Sequence, residues 1–360
     1  MRRHLHIVLL LLAAVACAGA GRDRTVDRLF VPAGPTGAPV EKIRATDLPL
    51  KRDRADEKVD RLLRGFDVPP ATFTYELRLV AEEETFRLYR LVYPSPVQTP
   101  WAENNVVPAE FYVPREASDG KKVPAAVVLD ILDGSAILPR MMARAAAQNG
   151  LAALYLPMPY YNARRPANKE HEQALAEDPR RAAEGLRQTV LDVRRARAIL
   201  SSRPEVDASQ VCITGISMGG IMTALAAGVD GEFARVVPIL AGGDLATIIF
   251  HAHETRKLRA AMEAKGMDRD AAAEALAPVE PLNFARRIRA DHCLMINATE
   301  DEVIPKETTE QLLKAAGGPQ VLWLRAGHYT SMTFFPLMQK TIIDYLRDGK
   351  RPEEKRHEGT

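Results

Sequence analysis

Cysteine is nearly missing from this chain. Three residues in 360, Cys17, Cys212 and Cys293, cannot build a disulfide framework or a four-ligand zinc site. An excess of one charge is missing too. Lysine and arginine number 49 and the carboxylates 47, so a formal net charge of +2 steers nothing to nucleic acid. The apolar run from Ile7 to Ala18 falls short of the about 20 residues that a membrane-spanning helix needs. Glycine-rich phosphate loops of the P-loop or dinucleotide type are absent from the turns, so no nucleotide cofactor is implied. Internal repeats and low-complexity tracts are absent as well. What is present is an ordinary globular mixture, 46% hydrophobic and 27% charged, with enough apolar residue for a sizeable core.

The two ends read as lying outside the fold. Arg2 and Arg3, the short apolar run and the small residues Gly19, Ala20 and Gly21 have the form of a secretory signal peptide over residues 1–20, so export is expected. Ala14-Val15-Ala16-Cys17 looks like a degenerate bacterial lipoprotein box without the usual leucine, which makes Cys17 the alternative, lipid-anchored outcome. Residues 21–70, rich in Arg, Asp, Pro and Gly, read as an exposed arm. Residues 349–360 read as a polar tail. Cys212 and Cys293 sit inside apolar runs, where a thiol behaves as a small hydrophobe.

Between the ends, strand and helix patterns alternate. Ala71–Val80, Thr85–Tyr93 and Asn105–Val113 predict extended, antiparallel segments. Pro124–Leu132, Leu151–Leu156, Gln210–Thr214, Ala234–Leu240, His292–Ile296 and Gln320–Leu324 are apolar runs suited to fully buried strands. Helical periodicity fills the gaps at Leu138–Gln148, Arg181–Leu200, Met218–Ala227, Lys306–Ala315 and Tyr329–Leu346. The pattern predicts an α/β fold over residues 71–348: a mostly parallel central sheet with helices on both faces and antiparallel strands at its N-terminal edge. One connection is too long for a simple crossover. Helical stretches at Glu254–Lys265 and Ala271–Ala277 make residues 242–277 an expected cap, loosely packed, over a site.

Gly215-Ile216-Ser217-Met218-Gly219, followed by Gly220, leaves an apolar strand and opens a helix. That is the context of a nucleophile elbow, and the G-x-S-x-G pattern arises by chance only about 0.03 times in this composition. A serine nucleophile needs a base, and the base needs a carboxylate. Among eight histidines, His328 and His357 leave room for an acid after the later strands, and His357 lies in the polar tail. His328 follows strand Gln320–Leu324 at the sheet edge where ligand chemistry collects. The acid is sought in Glu300-Asp301-Glu302, a run of three carboxylates of which one has to turn inward. His251-x-His253 has the wrong spacing for one helical face and no completing ligands, so no metal is expected.

On these motifs the stretch from about Val123 to Leu346 resembles an α/β-hydrolase, in the style of the dienelactone-hydrolase and acetyl-xylan-esterase-like branches. The resemblance implies that the acid stands in an Asp-x-x-Val/Ile-Pro-like loop, which matches Asp301 before Ile304-Pro305, with Glu300 as runner-up. An oxyanion hole would combine the main-chain N–H of Met218 with one from the loop after strand Pro124–Leu132. Many relatives carry His-Gly there. This chain has Asp130-Ile131-Leu132-Asp133-Gly134, which puts the second donor on Leu132, with Ile131 next. Tyr160 and Tyr161 line a substrate pocket or pack its rim. The expectation is an exported, cofactor-independent serine hydrolase acting on small-molecule or glycan esters, with no nucleic-acid partner and no membrane span. A peptidase or thioesterase on the same triad, and an inactive binding scaffold, are the alternatives.

Overall fold

The computed structural model of the protein describes residues 38–118, 121–132, 134, 136–166 and 179–353. The expected leader with Cys17, and His357 in the tail, lie outside the described residues. Ten strands form one sheet in the order β1-β2-β3-β4-β6-β5-β7-β8-β9-β10. The first four, β1 (Glu41–Thr46), β2 (Thr72–Glu82), β3 (Phe86–Pro94) and β4 (Val106–Pro114), pair antiparallel. The rest, β5 (Val123–Leu129), β6 (Ala152–Leu156), β7 (Val206–Ile216), β8 (Val236–Ile239), β9 (Leu294–Ala298) and β10 (Gln320–Leu324), run parallel to one another.

Alternation along a buried strand splits the core in two. In β5, Ala125, Val127 and Leu129 face one side, and Ala126 and Val128 face the other. On the first side lie α1 (Glu57–Leu63), α3 (Pro179–Ser202) and α4 (Met218–Asp230). On the second lie α2 (Ile137–Gln148) and, from the C-terminal end, the helix Phe335–Asp348. The chain leaves β5 toward β6 on one side and returns to β7 on the other. The crevice at the C-terminal ends of β5 and β7 is therefore the topological switch point, where open parallel sheets bind their ligands.

Four expectations need correction. The arm expected over residues 21–70 is part of the fold from residue 41 onward. Strand β1 adds to the sheet edge, and α1 is capped by Asp56, whose carboxylate accepts the Val59 N–H at 3.0 Å. Val59, Leu63 and Phe66 are buried, and the Phe66 ring meets Phe284 edge-on at 5.7 Å. A single apolar stripe and ion pairs such as Arg195–Asp47 seat a segment whose composition is otherwise that of a loop. At the other end, Arg351 donates to the Asp291 carbonyl at 2.7 Å, so the start of the expected tail is docked.

The connection between β8 and β9 differs more. It opens with an unexpected helix, α5 (Leu245–His251), followed by α6 (Arg256–Ala264) and α7 (Arg269–Leu276). Asp244 caps α5 by accepting the Thr247 N–H, and Glu280 accepts the N–H groups of Asp244 and Leu245 at 3.0 and 2.8 Å. Leu245, Ile248, Ile249, Met262 and Leu276 are buried in the same core as α3 and α4. The loose packing expected from its moderate apolar content is thus not what these side chains show. Helix α8 (Lys306–Ala315) follows as expected, but the last helix is divided. A tight 3-10 turn at Thr330–Phe334 precedes α9 (Phe335–Asp348), and Pro336 sits in the first turn of α9, where its missing N–H costs nothing.

Candidate active site

The first element of the site is steric. Ser217 stands between β7 and α4 at φ 56° and ψ −118°, a conformation that costs a side-chain-bearing residue roughly 1–3 kcal/mol. Its N–H donates to the Ile239 carbonyl at 2.8 Å and its carbonyl accepts the Ile221 N–H at 2.9 Å, which locks the turn to β8 and to α4. Glycine is required on the helix side of the turn. A Cβ on Gly219 would lie 2.6 Å from the Asp130 carbonyl oxygen, and one on Gly220 2.3 Å from that of Ile239. Both obstacles are main chain and cannot swing away. Gly220→Ala should therefore lower the melting temperature by an amount worth about 1–3 kcal/mol and disturb Ser217 with it; a thermal melt beside an activity assay checks this.

The two other members come from the ends of β9 and β10. The Ser217 hydroxyl lies 2.9 Å from His328 Nε2, and His328 Nδ1 lies 2.9 and 3.0 Å from the two carboxylate oxygens of Asp301. Asp301 also accepts the N–H groups of Val303 and Ile304 at 2.9 and 2.7 Å. A carboxylate can only accept, so Nδ1 carries the proton and Nε2 is free to accept from the serine. The side chains of His328 and Asp301 are only 9% and 3% exposed, which shields this chain of charge and dipole from water. Glu300, the alternative acid, is exposed, and only its main chain reaches the histidine loop, donating to Ala326 O at 3.0 Å.

Met218 is the first residue of α4, and the opening N–H groups of a helix have no partner within it. The loop after β5 is organised by Asp130, which is fully buried. One of its oxygens accepts its neighbour Ile131's N–H at 2.9 Å; the other accepts Tyr155 Oη–H at 3.0 Å and Asn162 Nδ2–H at 3.1 Å. The Ile131 N–H is thereby committed, which leaves Leu132, 39% exposed at the turn, as the stronger of the two candidates.

The tyrosine pair divides. Tyr161 packs against Gly134, where a Cβ would sit 2.8 Å from its ring, so it backs the β5 loop. Tyr160 turns to Trp101, ring centroids 5.6 Å apart, and Arg181 lies 5.4 Å over the same indole. His251 and His253 are exposed, and no group of three or more metal-ligating side chains gathers among the described residues. No helix among them is long and apolar enough to cross a membrane.

Two residues at the site carried no signal in the sequence beyond adjacency to a motif. Tyr329 sets its ring edge-on to His328 at 5.5 Å, and its hydroxyl donates to Glu254, between α5 and α6. This contact joins the long insertion to the histidine loop. Burial and the Glu254 carboxylate hold the Tyr329 phenol above its ordinary pKa, so it stays a donor at neutral pH. Glu302 reaches the main chain of the same loop.

Against known proteins, residues 55–250 match the family model described as alpha/beta hydrolase domain containing 18. Residues 184–336, which include Ser217, Asp301 and His328, match the prolyl oligopeptidase family. Among solved structures, an acetyl xylan esterase from Paenibacillus sp. R4 superposes with a TM-score of 0.61 at 19% identity, covering 83% of this chain and 96% of that one. Acetyl xylan esterase 1 from Thermoanaerobacterium sp. JW/SL YS485 gives 0.59 at 17% identity, with the same coverage of 83% and 96%. The acylaminoacyl peptidase of Pyrococcus horikoshii gives 0.53 at 17% identity over 79% of this chain and 47% of that one. At such identities the likeness is one of fold. No curated protein matches the chain.

Proposed function

From a chain that belongs to the family of α/β-hydrolases described as alpha/beta hydrolase domain containing 18, we propose a serine hydrolase that cleaves carboxylic esters with Ser217, His328 and Asp301. One observation carries the reading: a hydroxyl on a strained elbow, 2.9 Å from an imidazole that a buried carboxylate orients from its far side. Ser217 Oγ attacks the ester carbonyl and its proton passes to His328 Nε2. Negative charge collects on the carbonyl oxygen, where the N–H groups of Met218 and Leu132 receive it. Collapse breaks the bond to the alcohol, which leaves with the proton from His328. Water then repeats the sequence on the acyl-enzyme and frees Ser217. Asp301 stays ionised and stabilises the imidazolium.

The fold neighbours named as acetyl xylan esterases make short acyl esters of small molecules or glycans the first substrates to try. The prolyl oligopeptidase match supports a second reading, amide cleavage by the same residues, in which His328 must protonate a poorer leaving group. Purified protein assayed on p-nitrophenyl acetate, butyrate and octanoate, acetylated xylo-oligosaccharides and peptide anilides separates them. Ester turnover exceeding anilide turnover is expected, and the reverse would transfer the assignment to a peptidase. Export also belongs to the proposal. Residues 1–20 act as a leader, and fractionation of expressing cells should place the mature chain outside the cytoplasm.

The acid can be tested by comparison. Asp301→Asn should cost about 10⁴-fold in kcat, because an amide favours the wrong imidazole tautomer. Glu300→Gln should leave kcat within about twofold, since exposed substitutions away from special features do little. A larger loss at position 300 would reassign the acid.

A further inference from the structure

Three carboxylates stand in a row at Glu300-Asp301-Glu302, and the reaction above uses one. Glu300 is exposed and contributes only its main-chain N–H. Glu302 does something different. Its Oε2 accepts the main-chain N–H of His328 at 2.7 Å. On the other side of that residue, the Ser331 hydroxyl donates to the His328 carbonyl at 2.6 Å. The loop is closed further by Thr330 Oγ1, which accepts the Gly327 N–H at 2.8 Å, and by the Ser331 N–H, which donates to Gly327 O at 3.0 Å. The approach is so close that a Cβ on Gly327 would fall 2.4 Å from Glu302 Oε2. A side chain on Gly327 would have to push the carboxylate aside.

We propose that Glu302 is a positioning residue for His328. The proposal rests on the ester-hydrolase reading of the site. The contact to Asp301 fixes how the imidazole turns, but not where its Cα lies. Nε2 must meet the serine while Nδ1 meets the aspartate, so a displacement of the main chain breaks one contact or the other, and a misplacement of about 1 Å can cost 100-fold in rate. Gripping the N–H with a carboxylate gives the shorter, stronger kind of hydrogen bond. Adjacent residues thus divide the work: Asp301 holds the ring and Glu302 the backbone. Because both hang from one turn, braced by Asp301's own bonds to Val303 and Ile304, ring and backbone move together if that turn moves. Glu254 and Tyr329, also beside the loop, bond each other rather than the histidine main chain.

The experiment compares Glu302→Ala with Glu302→Gln in the full-length protein. Glutamine keeps an oxygen that can accept the same N–H, while alanine leaves the N–H without its partner. Glu302→Ala should lower kcat on p-nitrophenyl acetate roughly 10- to 100-fold with KM unchanged, and slow phosphonate labelling of Ser217 in parallel. Glu302→Gln should restore most of both. Proton NMR reads the same event without turnover: the downfield His328 Nδ1–H resonance, identified by its loss in His328→Gln, should broaden or vanish in Glu302→Ala and persist in Glu302→Gln. Should Glu302→Ala fail to fold, Gly327→Ala, which pushes into the same contact, should give the same NMR and kinetic signature. An unaltered resonance and kcat in Glu302→Ala overturn the proposal, as does a loss in Glu302→Gln equal to that in alanine. If wild type takes neither ester nor phosphonate, the ester-hydrolase reading fails, while the NMR comparison still decides whether Glu302 positions the imidazole.

Discussion

Ser217→Ala should abolish ester turnover, with kcat falling on the order of 10⁶-fold, because members of a nucleophile–base–acid unit fail together. Labelling by a fluorophosphonate should disappear as well. The fold should be untouched: alanine keeps the Cβ, and the turn's bonds to Ile239 and Ile221 are main-chain. Ser217→Gly sharpens the test. It is equally inactive, but glycine occupies positive φ without strain, so this variant should be more stable than the parent by about 1 kcal/mol. An inactive alanine variant and a stabilised glycine variant together would separate the chemical role of the hydroxyl from the conformational burden of the elbow. Persistent labelling of Ser217→Ala would remove Ser217 from the site.

How much of this was readable in the residues depends on what each contact needs. The parallel strands were, because a strand buried on both faces must be apolar throughout; β6, Ala152–Leu156, is buried along its whole length and falls within the predicted Leu151–Leu156. The elbow was, because its glycines are forced by main-chain clashes that no other residue survives. The residues alone confined the acid to three neighbours, and it was the resemblance that singled out Asp301, with Glu300 as runner-up. What separates Asp301 from Glu300 and Glu302 is a turn that Asp301 builds with its own side chain, and such a bond leaves no periodicity behind. Strand β1 escaped because an edge strand can keep polar residues on both faces, with Ala45 its one buried position. Helix α5 escaped because it begins at Asp244 at positive φ, almost directly after β8, with no linker to announce it. The role of Glu302 depends on a residue 26 positions downstream in sequence, which only the closed sheet brings near.

The largest stability loss is expected behind the site rather than in it. Arg164, in the loop after β6, and Asp192, in α3, are both completely buried and meet at 2.7 Å. Burial pushes the Asp192 carboxyl up, and the Arg164 charge opposes that shift, so each ion is tolerable because of the other. The surrounding bonds are directional. Ser95 donates to Asp192 at 2.6 Å, and Arg164 donates to the carbonyls of Pro157 and Asn104 at 3.1 and 2.8 Å. Asn104 in turn accepts the Tyr160 N–H at 3.0 Å, which sets the loop carrying Tyr160, Tyr161 and Asn162 at the site's rim. Asp192→Ala would leave a guanidinium buried without its counter-ion and should destabilise the protein by about 3–5 kcal/mol, measured by denaturant unfolding. Removing both charges, as in Arg164→Met with Asp192→Leu, should recover much of that loss, since paired apolar replacements of buried ions are often near neutral. The recovered protein should still lose activity on esters, because the loop that backs Gly134 through Tyr161 has lost Arg164's bonds to Pro157 and Asn104. A double variant as unstable as Asp192→Ala would mean that the side-chain volumes, rather than the unpaired charge, set the cost. Full activity in the double variant would mean that the loop is held by its glycine and tyrosine packing alone.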